Sequence, residues 1–473
     1  MSLMNREMKR KKQKKIKFGL AGSLLILVFL LCLVKMDLPL EKHTVSEETT
    51  MEILESENIG DVEDDDSKNG GQKPIDTLEK ENACNEMEET ANTEKNEEAI
   101  NIEENEETTD TEKNEETVTE EMLQKKIQNK LASMSLNEKI AQLFIITPEA
   151  LTGNSSVTQA GEITKTALWE YPVGGLVFFE GNIRSEQQVT ELLQKQQEYI
   201  EERIGIPLFM AIDEEGGQVT RLASCDDMNI KIFPNISEIG ARQDVSQAFE
   251  LGSVIGEYLN RMGFNLDFAP VADVLTNPDN TVVKKRSYGS NPQLVSEMVK
   301  NNLEGLWEHQ IYGCIKHFPG HGATLGDTHK GYAYTNKTWE ELKNNDIIPF
   351  QDSISWGVKF IMVGHISVPQ VTGNEVPSSL SSYVINDLLR GELNYDGIVL
   401  TDALNMGAIT DQYTSSQAAV NAILAGNDMI LMPLDFKNAY EGMLSAVKEG
   451  IITEERLEES LERILKVKFS MQI

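Results

Sequence analysis

Cysteine is scarce and scattered. Cys32, Cys84, Cys225 and Cys314 lie far apart with no Cys-x-x-Cys pair, so neither a disulfide framework nor a zinc site follows from them. No Gly-x-Gly-x-x-Gly follows the first apolar run of the folded part, which leaves a dinucleotide site without support. Positive charge is in the minority: 43 Lys plus Arg stand against 77 Asp plus Glu, a net charge of −34. With no basic stripe interleaved with aromatics, nucleic acid is not an expected partner. Phe, Trp and Tyr are missing altogether from residues 41–120, which hold 29 acidic residues and six lysines. Such a stretch buries too little apolar surface to offset chain entropy, and its charges repel one another. A disordered acidic stalk is therefore expected over residues 37–120. It carries one internal echo, Thr93–Glu98 repeated as Thr111–Glu116.

Long uncharged runs are equally rare, and the clearest is Phe18–Val34. Its length sits at the lower edge of the ~17–25 residues that span a bilayer as a helix. Arg6, Lys9, Arg10, Lys11, Lys12, Lys14, Lys15 and Lys17 precede it, and a basic flank stays in the cytoplasm. The run is longer than the usual core of a signal peptide and no Ala-x-Ala-like site follows, which favours an uncleaved anchor. The expectation is a cytoplasmic tail over 1–17, a single-pass membrane anchor over 18–36, and a catalytic domain outside the cytoplasm.

Residues 121–473 read as one large domain. Eight short apolar runs recur in it: Gln142–Thr147, Val173–Phe179, Pro207–Ile212, Phe264–Pro270, Gly313–Lys316, Val358–Gly364, Gly397–Thr401 and Asp428–Met432. Helix-like stretches separate them, among them Ser185–Arg203, Val245–Met262, Pro292–Gln310, Thr338–Ser355 and Ser415–Ala425, with Thr453–Lys466 last. Alternating strand and helix means parallel strands joined by crossover helices, and eight units predict an α/β fold of the (β/α)8, TIM-like barrel type.

The residues able to carry chemistry follow several of these runs. After the fifth comes Lys316-His317-Phe318-Pro319-Gly320-His321-Gly322-Ala323-Thr324-Leu325-Gly326-Asp327-Thr328-His329, with three of the six histidines. A carboxylate two residues from an imidazole can orient the ring and raise its pKa, making a candidate general acid/base of Asp327 and His329. The third run ends in Asp213-Glu214-Glu215-Gly216-Gly217-Gln218-Val219-Thr220-Arg221; the fourth is followed by Arg286-Ser287-Tyr288-Gly289. The sixth leads into His365 and the seventh into Thr401-Asp402-Ala403-Leu404-Asn405-Met406. In a parallel barrel these positions share one face, where the chemistry is kept. An aspartate placed directly after a buried strand, as Asp402 is, is costly unless it is used or well bonded.

Together these stretches resemble glycoside hydrolase family 3, in its β-N-acetylhexosaminidase branch. That branch carries Lys-His-Phe-Pro-Gly-His-Gly, four residues, then Asp-Ser-His; here Thr328 replaces the serine and keeps the hydroxyl. The resemblance covers roughly residues 131–471. It implies a retaining exo-β-N-acetylglucosaminidase with Asp402 as nucleophile and His329, oriented by Asp327, as acid/base. By the same resemblance Asp213, Arg221, Arg286, Lys316 and His317 hold the sugar hydroxyls and Met406 lies beside the ring. His321 and His365 are expected to brace the site without touching substrate. The carbohydrate is the only small-molecule partner implied, and no metal or organic cofactor. Three alternatives stay open: a β-glucosidase, a phosphate-dependent phosphorylase on the same barrel, and an inactive anchored glycan-binding protein. The aglycone and the oligomeric state are not legible.

Overall fold

The structure is a computed structural model that describes residues 107–328 and 331–471, with side chains from Glu120 onward except that of Asp226. The expected membrane anchor, the basic tail, most of the expected stalk and His329 lie outside the described residues. Among the described residues no helix is long and apolar enough to cross a membrane.

All eight expected strands are present: β1 Phe144–Ile146, β2 Gly175–Phe178, β3 Phe209–Ile212, β4 Leu266–Asp267, β5 Tyr312–Phe318, β6 Phe360–Val363, β7 Ile398–Thr401 and β8 Ile430–Leu431. They form one sheet in the order β8-β1-β2-β3-β4-β5-β6-β7, every ladder parallel. A parallel bridge between Leu400 and Met429 brings β7 to β8 and nearly closes the ring. The strands are short and apolar because both faces are covered, one by the barrel interior and one by helices. Phe144, Phe178, Phe209, Phe318 and Phe360 are all fully buried.

Helices cross over between the strands and cap themselves as their sequences dictate. Asn291 accepts hydrogen bonds from the N–H groups of Gln293 and Leu294 at the start of Pro292–Glu308, with proline in its first turn. Asp244 caps Val245–Met262, and Gly263 ends it in the left-handed region, the usual division of labour between helix ends. The single helix expected over Thr338–Ser355 is two, Trp339–Lys343 and Ile348–Ser355. Pro349 cannot donate to the preceding turn and clashes with it, so the helix restarts there. Asp346, in the break, turns inward and bonds the Lys337 ammonium.

The first helix, Glu107–Ser133, begins ahead of the boundary expected at 121. The disorder expected for the stalk therefore does not extend over 107–120. Ile127 and Leu131 are buried, and Gln128 bonds Glu462 on the last helix, Glu454–Ser470. Once packing has nucleated a helix, adding residues at its end is cheap even for a polar sequence.

Candidate active site

The C-terminal ends of the strands open on a cavity of about 280 Å³. Seven of the residues singled out in the sequence share its wall: Asp213, Arg221, Arg286, Lys316, His317, Asp402 and Met406. They come from the ends of β3, β5 and β7 and the loop after β4, so barrel closure converges residues that lie far apart in the chain. Larger cavities exist at the opposite end of the barrel, around Tyr312, Gly357 and Lys359, but the motif residues do not converge there.

The polar wall is an alternating set of buried charges. Lys316 Nζ donates to Asp213 Oδ1 at 2.7 Å and to Glu215 Oε1 at 2.8 Å. Arg286 meets Glu215 through two parallel bonds, Nε to Oε2 at 2.8 Å and Nη2 to Oε1 at 2.6 Å, the fork geometry that suits a carboxylate. Burial works against the charge on Glu215, but Arg286 and Lys316 outweigh it and hold its pKa far below the ordinary value. Burial likewise works against Lys316, and Asp213 and Glu215 reverse the effect, so its pKa is raised. Arg221 donates from Nη1 to Glu180 at 2.8 Å and lies over the Phe179 ring at 5.3 Å. Its Nε–H is buried without a hydrogen-bond partner.

Strand β5 is irregular where it matters. Its pairing with β6 shifts register between Ile315 and Phe318, and Lys316 instead bridges to Val271 on the neighbouring segment. Such a bulge re-aims side chains, and here Lys316 and His317 both reach the cavity. Asp273 then organises the histidines. Its Oδ2 accepts from His317 Nδ1 at 2.7 Å, and its Oδ1 accepts from the backbone N–H groups of His317 at 3.1 Å and His321 at 2.6 Å. Burial opposes the Asp273 charge, yet His317 and these donors lower its pKa. The ring nitrogen facing Asp273 is therefore the donor, which fixes the tautomer of His317.

Asp402 stands at the end of β7, half-buried. Its N–H donates to Val363 O at 2.9 Å, and its Oδ1 accepts from the N–H of Ala403 at 2.8 Å. Burial opposes its charge; His365, His317, the Ala403 amide and Lys316 together lower its pKa. It is held as a carboxylate, the form a nucleophile needs. His365 is buried behind it: Nε2–H donates to Ala403 O at 2.9 Å, and Nδ1 lies 2.7 Å from the Ser379 hydroxyl. His321 is buried too, with Nδ1 2.8 Å from the Thr324 hydroxyl. Burial first, then His317, push its pKa down to about 4. Neither His321 nor His365 is part of the cavity wall.

The loop that continues to Asp327 packs closely. A Cβ on Gly322 would lie 2.0 Å from Val274 O, and Gly326 takes φ +90°. Leu325 pairs with Tyr334 in an antiparallel bridge, and the Thr328 carbonyl accepts from the N–H of Ala408 at 3.2 Å. This ties the loop to the turn that follows Asp402. Asp327 is half-buried there and, among the described residues, does not line the cavity. Its expected partner His329 lies outside the described residues. Among the described residues no group of three or more His, Cys, Asp or Glu could hold a metal ion.

Two acids were missed as site residues. Glu215 is the hub of Arg286 and Lys316, and its signal was there in the Asp-x-Glu-Gly-Gly pattern. Asp273 sits in Ala-Pro-Val-Ala-Asp-Val just past β4, and its placement after a buried strand was the same signal that singled out Asp402.

Residues 135–467 match the family described as "Glycosyl hydrolase family 3 N terminal domain". Beta-hexosaminidase A of Pseudoalteromonas piscicida is 31% identical over 322 residues, which is 63% of this chain and 53% of that protein. Beta-hexosaminidase LpqI of Mycobacterium tuberculosis is 37% identical over 232 residues, 48% of this chain and 58% of that protein. The chain thus spans little more than half the length of these two relatives. Among solved structures, a glycoside hydrolase family 3 beta-N-acetylglucosaminidase from Paenibacillus sp. str. FPU-7 superposes with a TM-score of 0.67 at 34% identity, covering 72% of this chain and 64% of that one. The match runs through all eight strands and every motif that lines the cavity, and the chain belongs to glycoside hydrolase family 3.

Proposed function

We propose that the chain is a retaining exo-β-N-acetylglucosaminidase that releases terminal β-linked N-acetylglucosamine from wall-derived or related glycans. One observation carries this reading: the Asp402 carboxylate opens into the same small cavity as Asp213, Arg221, Arg286, Lys316 and His317. Hydroxyl-binding charges on one side and an ionised aspartate on the other suit a single terminal sugar with its anomeric carbon toward β7. The names of the relatives, beta-hexosaminidase and beta-N-acetylglucosaminidase, support the choice of sugar.

Asp402 attacks the anomeric carbon as the bond to the leaving oxygen breaks, and a covalent glycosyl-enzyme forms. His329, oriented by Asp327, gives its proton to the leaving oxygen. Water then attacks the same carbon from the side the aglycone left, His329 takes the water's proton, and Asp402 is released as a carboxylate. Lys316, Arg286 and Asp213 bind hydroxyls throughout. The apolar run Phe18–Val34 and its basic flank support a single-pass anchor with this domain outside the cytoplasm.

A panel of nitrophenyl β-glycosides, with and without phosphate, tests the proposal. The N-acetylglucosaminide should be cleaved fastest, with no dependence on phosphate. Asp402→Asn should lower turnover on the order of 10³-fold or more, as for other covalent nucleophiles. Preferential cleavage of the glucoside, or near wild-type turnover by the variant, would sink it.

A further inference from the structure

We propose that Glu214, which does not line the cavity, is a positioning residue that aims Arg221 at the sugar by clamping the far end of the loop after β3. The inference rests on the function proposed above and adds to it the device that sets one substrate contact.

Glu214 is fully buried. Its Oε2 accepts from the backbone N–H groups of Arg221 at 2.5 Å and Leu222 at 3.0 Å. Its Oε1 accepts from the N–H of Ala223 at 3.0 Å and from the Tyr258 hydroxyl at 2.9 Å. Two carboxylate oxygens offer about four acceptor sites, and four donors fill them. The backbone of Glu214 is itself fixed, since its N–H donates to Asp267 Oδ1 on β4 at 2.9 Å. The chain between makes a tight turn, with Gly216 and Val219 exchanging backbone hydrogen bonds. One side chain thus joins the end of β3, the returning loop and the helix Val245–Met262.

Arg221 needs such a clamp because its own head is loosely held. Its one close ion pair is with Glu180, whose side chain is 57% exposed; the approach to Asp213 is 3.9 Å. Exposed pairs of this kind hold a side chain weakly. The aim of the guanidinium is therefore set mainly from its backbone, and the backbone is set by Glu214. Glutamine at this position keeps the shape but turns an acceptor oxygen into an NH2 group. That group cannot serve the backbone N–H donors it faces, although the Tyr258 hydroxyl can turn to accept from it.

The test compares Glu214→Gln, Arg221→Ala and the double variant in the full-length chain. Steady-state kinetics on an N-acetylglucosaminide are combined with amide hydrogen exchange. Losing charge-assisted bonds to the loop should raise KM about tenfold, with kcat changed less than about threefold. In the Arg221→Ala background the same substitution should raise KM less than about twofold further, because the contact it positions is already gone. The Arg221, Leu222 and Ala223 amides should exchange at least about tenfold faster in Glu214→Gln. Tyr258→Phe, which removes one of the four donors, should shift both readouts in the same direction by less. An unchanged KM, a KM effect undiminished without Arg221, or unchanged exchange at these amides overturns the proposal. Inactivity of the wild-type chain counts against the function and not against the clamp, which the exchange rates then decide.

Discussion

Replacing His321 with glutamine should flatten part of the acid side of the stability profile. The ring is enclosed, with Nδ1 beside the Thr324 hydroxyl at 2.8 Å and Nε2 3.5 Å from that of Thr328. Burial and the neighbouring His317 push its pKa down to about 4, against ~6.5 for an unperturbed imidazole. Between those two values the unfolded chain binds a proton that the folded chain refuses. The stability His321 contributes is complete above about pH 6.5 and is lost as the pH falls toward 4. From about pH 7.5 to about pH 5, the linkage for this one group amounts to roughly 2 kcal/mol. Urea unfolding of both proteins across that range measures it, with m checked for constancy. The variant is expected to be less stable at neutral pH because it repacks a buried site. The stability gap between wild type and variant should then shrink by about 2 kcal/mol toward pH 5, because only the wild type carries the titrating ring. A gap that stays constant with pH would refute a buried, neutral His321.

Three further outcomes follow from the same site. Asp273→Asn should raise KM about tenfold by presenting an NH2 group to His317 Nδ1, which reverses the donor and acceptor nitrogens of the ring; an unchanged KM would separate His317 from the substrate. His329→Ala should form its glycosyl-enzyme readily from a dinitrophenyl substrate but poorly from an alkyl glycoside, and the intermediate should accumulate as a burst and as added mass on Asp402. Equal slowing of both substrates without a burst would remove His329 from the acid/base role. If, as proposed, the basic flank keeps the N-terminus inside, intact cells should hydrolyse an impermeant N-acetylglucosaminide; activity seen only after lysis would overturn that orientation.

The barrel was legible because its strands are buried on both faces. Eight apolar runs bounded by polar turns need no partner to be recognised, and each became a strand within a few residues of its expected ends. Errors fell where local sequence competes with packing. Thr338–Ser355 has a continuous helical pattern, but Pro349 splits it. The acidic segment has no core of its own, yet its end is drawn into the helix that Ile127 and Leu131 anchor. Local composition describes what a segment would do alone, and these two segments are not alone.

The candidate site was legible to the level of which strand ends carry chemistry, and not to the level of which groups hold one another. Lys316 was read as a hydroxyl donor, but two of its three N–H groups are already committed to Asp213 and Glu215. Those partners lie about a hundred residues away in the chain, and barrel closure alone brings them to hydrogen-bond distance. The same closure turns Glu215 from one acid in an acidic run into the group that fixes Arg286 and Lys316 together. A buried cation flanked by carboxylates cannot drift, because each displacement leaves an unpaired charge in a poorly hydrated place. The polar wall of the cavity is therefore preorganised before any ligand enters. Arg221 departs from this pattern: its one close ion pair is with an exposed carboxylate, with the Phe179 ring under it and Asp213 at 3.9 Å, and its aim is inherited from backbone held by Glu214. Of the wall's three cations, it is the one whose contribution to binding should respond most to a change at Glu214, which does not line the cavity.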